Sequence, residues 1–137
     1  MAGMSFDECK RKGKIVRTAL DASAINKELA SAEYDVEKAR KDFEDGDFKW
    51  ATIKAYYSAF HAARALLLRE GYIEKSHRCL LAFLEAFFPE LVMNFSTLMM
   101  LRETADYESH YSKSTSSRAI ELAEQLVKAV LDKLKGP

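Results

Sequence analysis

The feature that most constrains this fold is an apolar stripe that repeats in alternating steps of four and three residues. Its members are Ile25, Leu29, Ala32, Val36, Ala39 and Phe43. Residues at this spacing lie on one face of an α-helix, so the stripe predicts an amphipathic helix over residues 23–44. Because one apolar face has to be buried against another, the chain must fold by packing helices together.

A second helix is predicted over residues 48–70, directly after a tight turn. Gly46 supplies a residue for the left-handed end of the first helix, and Asp47 can cap the next one. So short a connection predicts an antiparallel helical hairpin. The core side of the second helix consists of Ile53, Tyr56, Phe60, Ala63 and Leu67.

The opposite side of the second helix carries a polar strip. It consists of Lys54, Tyr57, Ser58, His61 and Arg64, which recur at helical spacing. Such a strip favours contact with a ligand, or equally a solvated surface.

Three further helices complete the predicted fold. Ser76 can cap a helix over residues 77–88, which Pro89 interrupts, and helices over 91–108 and 117–134 flank a polar loop at 109–117. No segment shows the alternation of a β-strand. We therefore predict an all-α, up-and-down antiparallel helical bundle of four long helices plus one shorter helix.

The N-terminal segment is expected to be separate from the bundle. Residues 1–22 form an irregular or short-helical arm, and residues 23–137 form the bundle domain. The arm carries a basic cluster, interpreted as a solvated arm or a short helix over residues 6–12, whose members are Lys10, Arg11, Lys12, Lys14 and Arg17.

Apolar residues exceed what one bundle would enclose. The helix at residues 77–88 is apolar nearly all round, and residues 98–101 are four consecutive apolar residues. We therefore expect a homodimer whose interface involves the third or fourth helix.

Composition restricts the protein class. The chain has 21 acidic and 21 basic residues, so no overall charge draws it to nucleic acid or to a membrane. Residues 79–101 are too interrupted by Glu85, Pro89 and Glu90 to span a bilayer. Cys9 and Cys79 lie far apart and lack metal-ligand spacing, which together with the absence of a signal peptide predicts a cytoplasmic protein with reduced thiols.

Three motifs occur in order along the bundle. They are WATIKAYYSAFHAARALLL at residues 50–68, KSHR at residues 75–78 and LRETADY at residues 101–107. Together they resemble the second helix, the start of the third helix and the Arg-x-x-x-Asp-Tyr segment of HEPN domains (higher eukaryotes and prokaryotes nucleotide-binding). The resemblance spans residues 24–134 and points to the uncharacterised branch of that family.

This resemblance implies a dimeric helical bundle that pairs with a minimal nucleotidyltransferase in toxin–antitoxin-type modules. Some HEPN branches are metal-independent endoribonucleases that use Arg-x(4–6)-His. Here the residue four positions after Arg102 is Asp106, and the next histidine, His110, is eight positions away. The sequence thus departs from the nuclease motif.

Arg102 is the leading candidate for a site. It continues an apolar stripe, with Asp106 one turn later, so it forms either a structural ion pair or a guanidinium that binds phosphate. Tyr107 follows as a residue that stacks on a base, accepts a nucleotidyl group or packs in the core.

The three histidines allow different roles. His110 could act as a general acid or base. His77 could bind a ligand or make local hydrogen bonds at a helix start, and His61 could bind a ligand or pack between helices. Their spacing predicts no metal site, and no motif predicts a cofactor.

The sequence therefore predicts a nucleotide- or RNA-binding module, or the partner of a nucleotidyltransferase, that is not catalytic by itself. The predicted ligand-binding residues are Lys54, Tyr57, His61, Arg64, Lys75, His77, Arg102, Asp106 and Tyr107. One alternative is an endoribonuclease with Arg102 and His110 as catalytic residues. The other is a structural dimer adaptor without a ligand.

Overall fold

The computed structural model describes residues 4–107 and 112–135, apart from the side chains of residues 105–107. Within these residues the elements are α1 (Phe6–Arg11), β1 (Ile15–Arg17), α2 (Ala22–Glu44), α3 (Phe48–Arg69), β2 (Tyr72–Glu74), α4 (His77–Phe87), α5 (Val92–Tyr107) and α6 (Lys113–Lys135), with a 3-10 turn at Pro89–Leu91. The helices pack as an antiparallel bundle, which confirms the predicted fold class.

The predicted hairpin of α2 and α3 is confirmed, together with its turn chemistry. Gly46 has a φ of 81°, in the left-handed region that only glycine adopts without strain. The Asp47 side chain accepts a hydrogen bond of 3.3 Å from the backbone N–H of Trp50 and so caps α3. The two helices therefore lie side by side along their whole length.

Helix α3 lies at the centre of the bundle and contacts α2, α4, α5 and α6. Its small residues let the neighbouring helices approach closely, and Ala51, Ala55, Ala59, Ala62 and Ala63 are all fully buried. Tyr56 is also fully buried, on the side that faces α4 and α5. The polar side chains on the buried sides of α3 are thereby placed between packed helices, as for Thr52 and Ser58, which are fully buried.

Helix α6 begins earlier than predicted. It starts at Lys113, whereas the sequence pattern placed its start at Ser117 and residues 109–117 in a loop. The hydroxyl of Ser112 accepts a hydrogen bond of 3.0 Å from the backbone N–H of Thr115 and caps the helix. The Ser- and Thr-rich segment is thus partly a helix start, and the loop prediction is wrong from residue 113 onward.

The prediction of no strands is also wrong. β1 and β2 form an antiparallel pair in which Ile15 lies opposite Glu74, Val16 opposite Ile73 and Arg17 opposite Tyr72. Strands of three residues are too short to show an alternating pattern. The ladder attaches residues 15–17 to the connection between α3 and α4.

The two cysteines are paired, so the prediction of two free thiols is wrong. Cys9 of α1 and Cys79 of α4 form a disulfide with a Cα–Cα distance of 5.8 Å. Their separation of 70 residues hid the pairing, because only the β1–β2 ladder brings α1 beside α4. Both cysteines are fully buried.

The bundle encloses most of the apolar run in α5. Leu98 and Met99 are buried and Leu101 is half-buried, which leaves Met100, together with Met93 seven residues earlier, on the exposed face of the helix. Two methionines on one helix face fit the predicted homodimer, which stays a prediction. No helix among the described residues is long and apolar enough to cross a membrane.

Candidate functional site

Arg102 of α5 lies against the aromatic rings of α3. Its guanidinium carbon is 5.5 Å from the ring centre of Tyr56 and 5.6 Å from that of Tyr57. Its Nη2 also donates a hydrogen bond of 3.3 Å to the hydroxyl of Tyr57. Within about 6 Å a ring face attracts a cation, so the two tyrosines hold the half-buried guanidinium in place.

His77 joins this group through Tyr56. It is the first residue of α4, where the Ser76 side chain caps the helix, and its Nδ1 is 2.6 Å from the Tyr56 hydroxyl. Its ring also packs on Phe60, with 4.4 Å between the ring centres. We call Arg102, Tyr56, Tyr57 and His77 the Arg102 cluster.

The electrostatics of the cluster keep its histidine neutral. Burial lowers the pKa of His77 below its ordinary value of 6.5, and the nearby charge of Arg102 lowers it further. Burial also raises the pKa of Tyr56, so its phenol keeps its proton. We assign that proton as the one donated to Nδ1, because the hydroxyl would otherwise be buried without an acceptor.

The Arg102 cluster therefore combines a fixed cation, aromatic rings and an uncharged imidazole. Guanidinium groups bind phosphate oxygens through paired N–H donors, and tyrosine rings stack on planar groups. Because Nδ1 of His77 accepts from Tyr56, the neutral imidazole has Nε2–H as a hydrogen-bond donor. This chemistry suits a phosphorylated ligand that carries a planar base.

The residues of the predicted polar strip of α3 contact different neighbours. Tyr57 belongs to the Arg102 cluster, whereas Lys54 pairs with Asp42 of α2 at 2.7 Å. Ser58 is buried and donates a hydrogen bond of 2.6 Å to the carbonyl of Ala32. These two residues link α3 to α2, and the predicted ligand contact of Lys54 stays a prediction.

His61 and Arg64 are neutralised by carboxylates. His61 Nδ1 lies 2.6 Å from Glu28 and Nε2 lies 3.6 Å from Asp35, while Arg64 bonds both carboxylate oxygens of Glu74 at 2.9 and 2.6 Å. We call these five residues the carboxylate network. It connects α2, α3 and β2, so it is a structural element of the bundle.

The pKa values within the carboxylate network follow from these contacts. Burial alone would raise the pKa of Glu28, but the hydrogen bonds and charges of His61 and Arg64 outweigh it and hold the pKa below 4.5. The hydrogen bond to Glu74 raises the pKa of Arg64. Burial raises the pKa of Asp35 against the charges of His61 and Lys54.

The other predicted site residues are placed as follows. The backbone N–H of Lys75 donates a hydrogen bond of 2.8 Å to the carbonyl of Lys14, and its side chain is exposed. The side chains of Asp106 and Tyr107 and the whole of His110 lie outside the described residues. Their predicted roles therefore stay predictions.

Sequence reasoning missed several members of these two groups. It assigned Tyr56 to the core alone, and it did not connect Glu28 and Asp35 with the polar strip. A signal was present, because Glu28, Asp35 and Asp42 recur every seven residues on α2 and form an acidic stripe. In an antiparallel hairpin that stripe faces the strip of α3.

The described part of the Arg102 cluster shows no metal site. No three His, Cys, Asp or Glu side chains among the residues with described positions are arranged to hold a metal ion. A groove of about 480 Å³ does lie between α2 and α6, but its Arg40 is paired with Glu37 and Glu124. This groove is therefore lined by paired charges and lies apart from the Arg102 cluster.

The chain belongs to the HEPN domain family, whose model matches residues 26–134 and so includes Tyr56, Tyr57, His77 and Arg102. Among curated proteins it is similar to a UPF0332 protein of Archaeoglobus fulgidus, with 35% identity over 85 residues, which cover 58% of this chain and 68% of the relative. Its fold is similar to the crystal structure of TT1696 from Thermus thermophilus, with a TM-score of 0.68, 22% identity and coverage of 80% and 97% of the two chains. At that identity the second likeness concerns the fold alone.

Proposed function

We propose that this HEPN protein is a nucleotide- or RNA-binding module and that the Arg102 cluster is its ligand site. The observation that carries the proposal is the guanidinium of Arg102 held against two tyrosine rings and beside a neutral histidine. In this role Arg102 binds a phosphate, and Tyr57 both orients Arg102 and offers its ring to the base. His77 donates a hydrogen bond to the ligand from its Nε2–H.

Titration of the purified protein with AMP, followed by calorimetry, tests this site. Arg102→Lys keeps the charge but loses the planar fork, so we expect about tenfold or greater weakening. The matched control is Arg118→Lys on the exposed face of α6, which should leave the affinity unchanged. Equal AMP binding by both variants, or no binding by the wild type, would refute the proposal.

The proposal includes a protein partner. The HEPN resemblance supports pairing with a minimal nucleotidyltransferase in a toxin–antitoxin-type module, and the Met93–Met100 face of α5 supports a homodimer near Arg102. Co-expression with the neighbouring gene product and light scattering test both points. A monomer in light scattering would refute the homodimer. Failure to co-purify with a nucleotidyltransferase would refute that partner.

The endoribonuclease is the alternative function. The half-buried guanidinium of Arg102 favours it, because a fixed cation can bind the scissile phosphate while a histidine moves the proton for 2′-hydroxyl attack. In this reading Arg102 binds the scissile phosphate and His110 carries the proton. Incubation with RNA in EDTA decides it: cleavage that Arg102→Ala or His110→Ala abolishes supports a nuclease.

A structural dimer adaptor is the remaining possibility, and it predicts dimerisation with neither AMP binding nor RNA cleavage. We place all these functions in the cytoplasm. The Cys9–Cys79 disulfide bears on that location, since disulfides inside cells persist mainly in hyperthermophiles. Alkylation of thiols in intact cells would measure how much of the protein is oxidised.

A further inference from the structure

One end of the molecule carries a dense group of exposed cations that the Arg102 cluster does not use. It comprises seven side chains, which we call the basic end: Lys10, Arg11, Lys12, Lys14, Arg17, Lys75 and Arg78. Five come from the N-terminal arm, and two come from the start of α4. The arm is therefore not a solvated appendage but one half of a folded surface.

Two connections hold the halves together. The backbone N–H of Lys75 bonds the carbonyl of Lys14, which places these residues opposite each other at the end of the β1–β2 ladder. The disulfide joins Cys9, next to Lys10, to Cys79, next to Arg78. Because neighbouring Cα atoms are 3.8 Å apart, the Cα atoms of Lys10 and Arg78 lie within about 13 Å of each other.

The positive charge of the basic end is not neutralised by the described part of the protein. None of its seven side chains has a carboxylate within 4.0 Å there, whereas Arg40, Lys54 and Arg64 are all paired. Residues 10–17 contain five cations and no acid, which leaves 16 basic and 21 acidic residues elsewhere. A chain with no net charge thus has one strongly positive end.

This arrangement costs the folded state free energy. Like charges directly opposite each other in a ladder, such as Lys14 and Lys75, destabilise it. Two of the cations are further ordered by stacking on Tyr72, with Arg17 at 5.0 Å and Lys10 at 5.8 Å from the ring centre. A surface of fixed, mutually repelling cations is stabilised when a polyanion binds to it.

We propose that the basic end binds the phosphate backbone of a nucleic-acid strand. Lys75 and Arg78 flank Ser76 and His77, so the surface is continuous along the chain with the Arg102 cluster. Within the basic end Cys9 and Ile15 are buried and Val16 is half-buried, so the cations are not interleaved with fully exposed hydrocarbon that could insert into a lipid bilayer. The backbone of RNA or DNA matches a surface that offers charge alone.

Fluorescence anisotropy with a short fluorescein-labelled single-stranded RNA, and with DNA of the same sequence, tests this surface. The variant Lys12→Gln/Lys14→Gln/Arg78→Gln should weaken binding about tenfold or more and lower the slope of log Kd against log salt by about 2. The matched control, Lys27→Gln/Lys41→Gln/Arg118→Gln, removes three exposed cations elsewhere and should change Kd less than about twofold. Equal binding of both strands supports recognition of the backbone, and tighter binding of RNA identifies RNA as the ligand.

Two results would overturn the proposal. One is unchanged strand binding by the basic-end variant. The other is wild-type binding to phosphatidylserine vesicles but to neither strand, which would assign the surface to membranes and to Leu20, 70% exposed beyond Arg17. AMP binding measured in parallel separates this surface from the Arg102 cluster, because the basic-end variant should retain it.

Discussion

The Arg102 cluster and the carboxylate network contain the same kinds of side chain but have opposite surroundings. Each has an arginine and a histidine, which belong to α3 in the network and contact α3 from α5 and α4 in the cluster. In the network, Arg64 bonds Glu74, whose side chain is only 2% exposed, and His61 lies between two carboxylates. In the cluster, Arg102 contacts tyrosine rings and His77 bonds a phenol.

The difference shows what decides the role of a cation on a helix. A carboxylate cancels the charge and uses the donors of the guanidinium, so the residue stabilises the fold. A ring face orients a guanidinium without supplying a negative charge, and this orientation by Tyr56 and Tyr57 is what supports the proposed phosphate contact of Arg102. The two arginines thus differ in their partners: Arg64 of α3 bonds a carboxylate of β2 as well as facing the ring of Phe60, whereas Arg102 of α5 faces two rings of α3.

The largest expected effect concerns the network. Arg64→Met leaves the carboxylate of Glu74 buried without its main partner, so we expect the free energy of unfolding to fall by about 3 to 5 kcal/mol. Urea denaturation measures it. Replacing both partners, Arg64→Met/Glu74→Leu, should recover most of the loss, because no unpaired charge then stays buried.

Lys128→Met is the matched control, since the Lys128–Asp132 pair lies on the surface with side chains 80% and 67% exposed. It should change stability by less than about 1 kcal/mol. A loss for Arg64→Met no greater than that for Lys128→Met would contradict the structural role of the network.

The corresponding change in the cluster should cost less stability. Arg102→Met removes the contacts with two rings and one hydroxyl, which we expect to lower the free energy of unfolding by about 1 kcal/mol. The same variant should lose AMP binding, whereas Arg64→Met, assayed where it is folded, should keep it. If Arg102→Met unfolds the protein as severely as Arg64→Met, the two regions do not differ in role.

Much of the fold was readable from the sequence because its signals are local. The apolar stripe of α2, Gly46 with Asp47 at the turn, and the Ser76 cap of α4 all act within a few residues, and each is confirmed. The strands and the disulfide were missed because they depend on contacts between distant segments. Nothing near Cys9 indicates that residue 79 will lie beside it.

The candidate site was readable only in part, for the same reason. Periodicity placed Tyr57, His61 and Arg64 on one side of α3, but a single helix cannot show which of them faces α2 and which faces α5. The acidic residues of α2, repeating every seven positions, contained that information once the hairpin was predicted. The contact of Arg102 with Tyr56 depends on how α5 packs on α3, which no local pattern shows.

A smaller effect tests whether the more buried ion pair of α3 also contributes more to stability. Lys54 is 36% exposed and Asp42 19%, against 26% and 2% for Arg64 and Glu74. A double-mutant cycle with Lys54→Met and Asp42→Asn should therefore give a coupling of about 0.5 kcal/mol, well below that of the buried pair. A coupling energy as large as that of Arg64 with Glu74 would show that burial does not determine how strongly these ion pairs stabilise the fold.

The smallest effect is the pH response of His77. Its pKa is lowered in the folded protein, so the native state binds fewer protons than the unfolded state near pH 6.5. Its contribution to stability is thus fully present above pH 6.5 and is lost as the pH falls through the lower pKa of the folded state.

Proton NMR of the imidazole signals should show His77 titrating below 6.5, and Arg102→Met should raise its pKa because one source of the shift is gone. Arg118→Met, a charge change on the exposed face of α6, should leave the titration unaltered; the same pKa in the wild type and in Arg102→Met would mean that the guanidinium does not act on this imidazole.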